Sequence, residues 1–351
     1  MSPIPNPRLY LKKPVEANTY PVPNENLAYD DKETIDIDSI ELKPGELLVE
    51  TLCVSLDPYM RGRMRKDGES YAEPFTVGDP ITGAMIGKVL KSSSEKFQEG
   101  HLVNFGGQYR KFSKFNEAAL PIRQLPDVKV PSSTFLGVLG MPGMTAWAAW
   151  REYAHAKKGE TCFVSTGAGA VGSLVIQLAK MDGLKVIASA GSDSKLEYMK
   201  KLGADEVFNY KTTKTSDALK SFGKIDVYWV AFLSKRLCLD NVGGEQTDAA
   251  LANMNVHGRI IVCGVASQYS AKPVPIHNYD QILVKRLQIN GFLQGDIRHK
   301  HEESFWKTLP QKVVSGELQF QEAIYHGFDK GPEAFDDLLR GKNEGKVVVM
   351  A

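Results

Sequence analysis

Residues 161–210 carry the pattern strand, glycine turn, helix, strand, and this stretch constrains the fold more than any other part of the chain. The first strand, Thr161-Cys162-Phe163-Val164-Ser165, is β-branched and aromatic and runs directly into Gly167-Ala168-Gly169-Ala170-Val171-Gly172. Beyond this Gly-x-Gly-x-x-Gly spacing, Val171, Leu174, Val175, Leu178 and Ala179 recur at helical intervals. A glycine string alone can be no more than a flexible turn. Between a buried strand and an amphipathic helix it reads as the phosphate-binding turn for a dinucleotide. Gly167 is expected to permit the tight turn, Gly169 to let a pyrophosphate approach the backbone, and Gly172 to let the helix lie close to the sheet. The helix N-terminus then offers unpaired N–H groups and a dipole, the latter worth roughly 0.3–1 kcal/mol to an anion at an exposed site.

The second strand, Lys185-Val186-Ile187-Ala188-Ser189, decides which dinucleotide is expected. A chain that holds the ribose 2′-hydroxyl of NAD carries Asp or Glu at the end of this strand. Here Ala190 and Gly191 stand in that place, Ser192 can hydrogen-bond a 2′-phosphate, and Lys195 can supply positive charge from the next helix. Asp193 lies past the strand end, where an acid in the first helical turn is favourable whatever the ligand. The expected coenzyme is therefore NADP(H).

A length of 351 residues allows two domains and a sizeable core. Lys and Arg total 43 against 42 acidic residues, so no basic field is present to hold nucleic acid or an anionic membrane. No run approaches the roughly 20 apolar residues of a membrane-spanning helix, and the N-terminus has prolines in place of an apolar signal core. A cytoplasmic setting follows as the expectation. Cys53, Cys162, Cys238 and Cys263 are scattered without a Cys-x-x-Cys pair and read as buried thiols of a reducing compartment. No metal site is expected, since His299 and His301 sit in a charged segment and no His-Glu-x-x-His string occurs.

Before the dinucleotide segment, short apolar runs broken by Pro and Gly (residues 46–54, 85–90 and 101–105) suggest a mostly antiparallel, barrel-like unit. From residue 133 helices and strands alternate, which implies a parallel sheet covered on both faces. The tail returns to β-rich texture and ends in Lys346-Val347-Val348-Val349-Met350. The expected fold class is α/β: a doubly wound parallel-sheet domain over residues 133–315, and a β-rich domain built from residues 1–132 and 316–351.

With those residues in view, the whole chain resembles the zinc-independent medium-chain dehydrogenase/reductases, and within them the alkenal/one oxidoreductases such as the prostaglandin (leukotriene B4) and plant double-bond reductases. The strings that carry the likeness are Asp57-Pro58-Tyr59-Met60-Arg61, Gly140-Met141-Pro142-Gly143-Met144-Thr145-Ala146, Ala190-Gly191-Ser192, Phe208-Asn209-Tyr210-Lys211 and Asp240-Asn241-Val242-Gly243-Gly244. Gly258-Arg259-Ile260 with Cys263-Gly264, Ser267-Gln268-Tyr269 and Gly341-Lys342-Asn343-Glu344-Gly345-Lys346 complete the set. The resemblance implies a GroES-like fold for the β-rich domain, a homodimer, and NADPH-dependent reduction of the carbon–carbon double bond in α,β-unsaturated aldehydes and ketones. It implies a pyrophosphate at Ala168, Gly169, Ala170 and Val171, with Gly172 closing the turn, and a 2′-phosphate at Ser192, Lys195 and Tyr210. Further coenzyme contacts are implied at Asn241, at Cys263 through Tyr269, at Phe292 and Leu293, and at Asn343. The zinc enzymes of the superfamily carry a Cys near Asp57 and a Gly-His-Glu near Gly78-Asp79-Pro80, and this chain has neither.

The same resemblance makes Tyr269 the donor to the enolate oxygen that forms when hydride adds to the β-carbon, and places Tyr59 along the substrate cleft. A packing role for Tyr59, a surface role for its neighbour Arg61, and a solvated role for Lys195 are the plainer alternatives. One departure stands out. Residues 230–239, apolar with a basic break, separate Tyr228-Trp229 from Asp240-Asn241, whereas the family runs almost directly from one to the other. They can lengthen the strand, reshape the nicotinamide pocket, loop out, or reflect an error in the deduced coding sequence. Two other functions fit the same residues: a quinone reductase or biosynthetic enoyl reductase, and a catalytically silent NADPH-binding protein.

Overall fold

The computed structural model describes residues 3–66, 70–231, 244–264 and 275–351. Tyr269, Asn241, Cys238 and residues 232–239 lie outside them. The chain divides into two compact units, one of residues 1–136, 323–339 and 347–351, the other of residues 137–322 and 340–346. Among the described residues no helix is long and apolar enough to cross a membrane.

The first unit is built on a seven-stranded sheet. Its order is Glu322–His326, Lys346–Met350, Glu46–Ser55, Thr82–Ser92, Leu102–Gln108, Ile122–Gln124, with Phe112–Asn116 pairing off this path to Glu46–Ser55. Glu46–Ser55 runs antiparallel to Lys346–Met350, to Thr82–Ser92 and to Phe112–Asn116. Leu47, Val49, Met85, Phe105 and Val349 bury their side chains in one cluster, as the alternation of apolar positions demands.

The second unit holds six strands in the order Glu206–Asn209, Lys185–Ala190, Thr161–Val164, Ile225–Ala231, Met254–Gly264, Gln288–Gly291, all parallel. Numbered along the chain this is 3-2-1-4-5-6, the doubly wound order, and the α/β class expected from the alternation of elements is met. The direction of winding reverses between Thr161–Val164 and Ile225–Ala231. Ligands of open α/β sheets bind beyond the carboxyl ends of strands at that crevice. Phe163 stacks on Tyr228 at 4.9 Å and, with Ile187, Leu219, Leu251 and Ile260, forms the core on one face of the sheet. Val230 and Ala231, the first two residues of the departure, continue their strand and pair with Val262 and Gly264 across a register irregularity.

Candidate functional site

The glycine turn begins where Thr161–Val164 leaves the sheet, and the next helix is Gly172–Met181. Sequence reasoning assigned the tight turn to Gly167, but the left-handed residue is Thr166, with φ of 55°. A β-branched residue is rarely found there, and such strain concentrates at ligand sites. Gly167 serves packing instead: its N–H donates to the Ser189 carbonyl at 3.0 Å, and a Cβ would meet Met199 Sδ at 2.6 Å. At Gly172 the close approach is to the turn: a Cβ there would sit 2.5 Å from the Thr166 carbonyl oxygen and push the helix off it.

At the end of Lys185–Ala190 the chain enters the helix Asp193–Lys201, with Asp193 in its first turn and its Oδ1 accepting from Asn209 Nδ2 at 3.3 Å. Ser192 precedes the helix and its hydroxyl lies 3.3 Å from that of Ser194. Gly191 lies under Tyr210, whose hydroxyl would be 2.6 Å from any Cβ at that position. Lys211 Nζ donates to the Gly191 carbonyl, so the strand end is bracketed by a phenol and an ammonium.

One cavity gathers these elements. It is lined by Thr166, Ala168, Gly169, Ala190, Gly191, Lys195, Tyr210, Arg340, Gly341 and Asn343, with no acidic side chain among them. Five sequence-derived positions, Ala168, Gly169, Lys195, Tyr210 and Asn343, therefore share one wall, while Ala170, Val171 and Gly172 carry the turn onward into the helix. Lys195 Nζ donates to the Gly341 carbonyl at 2.8 Å, tying the second helix to the 340–346 turn. Asn343 is 9% exposed; its Nδ2 donates to the Gly345 carbonyl at 2.7 Å and its Oδ1 is a buried acceptor with no partner among the described residues. A buried acceptor left without a partner in a residue that lines a cavity is a place where a ligand donor would be accommodated. Thr166, Arg340 and Gly341 were missed by sequence reasoning. The only signal for Arg340 was a basic side chain directly before the Gly341-Lys342-Asn343 string.

Ser192, Cys263, Phe292 and Leu293 do not line this cavity. Cys263 is the next-to-last residue of the strand Met254–Gly264 and is half-buried. Phe292 packs 5.9 Å from Tyr153 and edge-on to Trp229 at 6.3 Å, and Leu293 is exposed just ahead of the helix Gln294–Val314. In the first unit, Tyr59 caps the short helix Met60–Arg63 and packs against the apolar cluster. Burial, and then the Asp57 carboxylate, push its phenol up to about 12, so it remains a protonated donor at any physiological pH. Arg61 is not a surface charge: it is 3% exposed and donates to the carbonyls of Glu16 at 2.8 Å and Thr19 at 2.8 and 3.0 Å. Among the described residues no three or more His, Cys, Asp or Glu side chains group as a metal cage.

A doubly wound sheet, a glycine turn and an acid-free cavity at the second strand's end define a dinucleotide-binding oxidoreductase fold. Residues 22–120 match the family model described as N-terminal domain of oxidoreductase, and residues 170–310 match that described as zinc-binding dehydrogenase. The chain is 42% identical over 311 residues to the NADP(+)-dependent 2-alkenal reductase of Nicotiana tabacum, covering 87% of each. It is 38% identical over 328 residues to prostaglandin reductase 1 of Mus musculus, covering 90% of this chain and 93% of that one. The crystal structure of CurA from Vibrio vulnificus in complex with NADPH superposes with a TM-score of 0.84 at 31% identity, over 98% of this chain and 99% of that one. The chain belongs to the zinc-independent medium-chain dehydrogenase/reductases, in their alkenal/one oxidoreductase family.

Proposed function

We propose that this chain is an NADPH-dependent reductase of the carbon–carbon double bond of α,β-unsaturated aldehydes and ketones. The observation that carries the reading is the cavity at the carboxyl end of the sheet, where Lys195 and Tyr210 stand beside Gly191 in place of a carboxylate. The orphan Oδ1 of Asn343 and the carboxylate-free lining fit a phosphorylated dinucleotide. Ala168, Gly169, Ala170 and Val171 would hold the pyrophosphate, Ser192, Lys195 and Tyr210 the 2′-phosphate, and Asn343, Asn241, Cys263, Phe292 and Leu293 the remainder. The names of the tobacco and mouse relatives supply the substrate class.

When bound, NADPH supplies the hydride. Tyr269 donates a hydrogen bond to the substrate carbonyl oxygen, on which negative charge develops as the β-carbon is reduced. A preorganised donor of this kind is worth roughly 10²–10³ in rate. Tyr59, kept protonated, is a donor and never a base, and it faces the substrate. The α-carbon takes its proton from solvent. The protein works in the cytoplasm.

The test is a panel of enals, enones and quinones with NADPH. Oxidation of NADPH by enals and enones, with the saturated carbonyl compound as product, is expected. Turnover confined to quinones, or NADPH binding without turnover, would replace this reading by one of its two rivals.

The protein also pairs with a second copy of itself. Gln288–Gly291 is an edge strand with Ile289 46% exposed, and Leu283 and Val284 nearby are 81% and 56% exposed. Among the described residues no further strand pairs with this edge, and an edge flanked by apolar side chains favours strand pairing between copies. Light scattering should give the mass of a dimer for the wild type and of a monomer for Leu283→Lys/Ile289→Lys. A double variant that stays dimeric would place the interface elsewhere.

A further inference from the structure

The reading above gives Ser192 and Lys195 to the 2′-phosphate, and the following inference rests on it. Between those two residues stands an acid, Asp193. The helix Asp193–Lys201 gains from an acid in its first turn, but a phosphomonoester, with close to two negative charges at neutral pH, is opposed by a carboxylate nearby. Asp193 nevertheless does not line the cavity. Its Oδ1 accepts from Asn209 Nδ2 at 3.3 Å, which turns the carboxylate toward the last residue of the strand Glu206–Asn209. Asp193 is exposed, so packing does not fix its rotamer and the hydrogen bond is what does.

Asn209 is itself held in place. Its backbone is paired with Ala190 in the sheet, and its carbonyl accepts from the N–H groups of Thr212 at 3.1 Å and Thr213 at 2.9 Å. Its Oδ1 accepts from the Lys211 N–H at 3.1 Å, so the amide presents its Nδ2, a donor, to Asp193. We propose that Asn209 is a positioning residue for coenzyme preference: it holds the Asp193 carboxylate away from the 2′-phosphate, so that an acid useful to the helix does not act against NADPH. The competing role for Asn209 is to set Tyr210, which its bond to the Lys211 N–H spans. Only the first role needs the carboxylate, so a double-mutant cycle separates the two.

The experiment is equilibrium binding of NADPH, NADH, 2′,5′-ADP and 5′-AMP to the full chain, its Asn209→Ala and Asp193→Asn variants and the double variant, with thermal unfolding as the control for folding. Asn209→Ala should weaken NADPH and 2′,5′-ADP by roughly three- to tenfold, the size of an exposed contact between a carboxylate and a group of nearly two charges, and leave NADH and 5′-AMP within about twofold. Added salt should narrow the gap between the wild type and Asn209→Ala. In the Asp193→Asn background the same change should cost NADPH less than about twofold. A loss that persists in that background would move Asn209 to the setting of Tyr210 and overturn the inference. So would equal weakening of NADPH and NADH, or unchanged NADPH affinity in Asn209→Ala. Failure of the wild-type chain to bind NADPH would sink the coenzyme reading itself, and this inference with it.

Discussion

Gly191→Asp is expected to raise the KM for NADPH by roughly 100-fold or more, through like charge placed against the 2′-phosphate, an effect of several kcal/mol in a partly desolvated site. The same carboxylate is the group that NAD-dependent chains use to hold the 2′-hydroxyl, so NADH should lose far less. Geometry adds a steric share. A Cβ at this position would lie 2.6 Å from Tyr210 Oη, 2.9 Å from its Cζ and 2.8 Å from Lys211 Cε. The tyrosine must turn away, and the cavity loses one of its donors together with its neutral floor. Gly191→Ala separates the two contributions, since it displaces Tyr210 without adding charge and should cost NADPH only several-fold. Steady-state kinetics with both coenzymes, and binding of 2′,5′-ADP, check the prediction. A parallel rise for NADPH and NADH in Gly191→Asp would mean that the strand end does not face the 2′ position.

How much of this was readable from residues alone depended on whether the controlling contacts were local. The Thr161–Val164 strand, its glycine turn and the Gly172–Met181 helix follow from period and propensity, because a buried parallel strand and an amphipathic helix each leave a signature within about ten residues. The parallel sheet follows from the alternation that comes after it, whereas its strand order is set by pairings between distant segments. The left-handed conformation at Thr166 left no such trace, since a threonine before a glycine gives no reason to look for positive φ. Arg61 shows the same limit in the first unit. An arginine in a polar string looks solvated until two carbonyls from residues 16 and 19, more than forty positions away, are folded onto it. The cavity wall formed by Arg340, Gly341 and Asn343 joins the glycine turn across about 170 residues of chain. Only family likeness pointed to Asn343, and for Arg340 the local pattern offered no more than a basic side chain directly before that string.

Gly143 brings local propensity and tertiary packing into direct conflict, and Gly143→Ala measures which wins. The residue lies inside the helix Met141–Ala149, where alanine is more favourable than glycine by about 1 kcal/mol, so propensity alone predicts a gain in stability. Packing predicts the reverse. A Cβ there would lie 1.7 Å from the Val138 carbonyl oxygen and 2.5 Å from its carbon, a collision with backbone that no rotamer relieves. Relief requires the helix to move off the turn at Gly137 and Val138, which is held by hydrogen bonds from the N–H groups of Gly140 at 2.9 Å and Gly143 at 3.1 Å to the Gly137 carbonyl. Residues from Pro142 through Ala149 are buried, and Trp147 Nε1 donates to Ser304 Oγ at 3.0 Å, so the movement also disturbs the contact with Gln294–Val314. Overpacking of this rigidity belongs at the exceptional end of single-residue effects, about 4 kcal/mol, which exceeds the propensity gain several times over. A net loss of about 3 kcal/mol should lower Tm by on the order of 10 °C, and Gly143→Val by more. Met141→Ala, at an exposed position of the same helix, should shift Tm little by comparison. A Gly143→Ala protein that melts at or above the wild-type temperature would show that the turn yields easily and that the close approach of helix and backbone at Val138 is not what requires glycine.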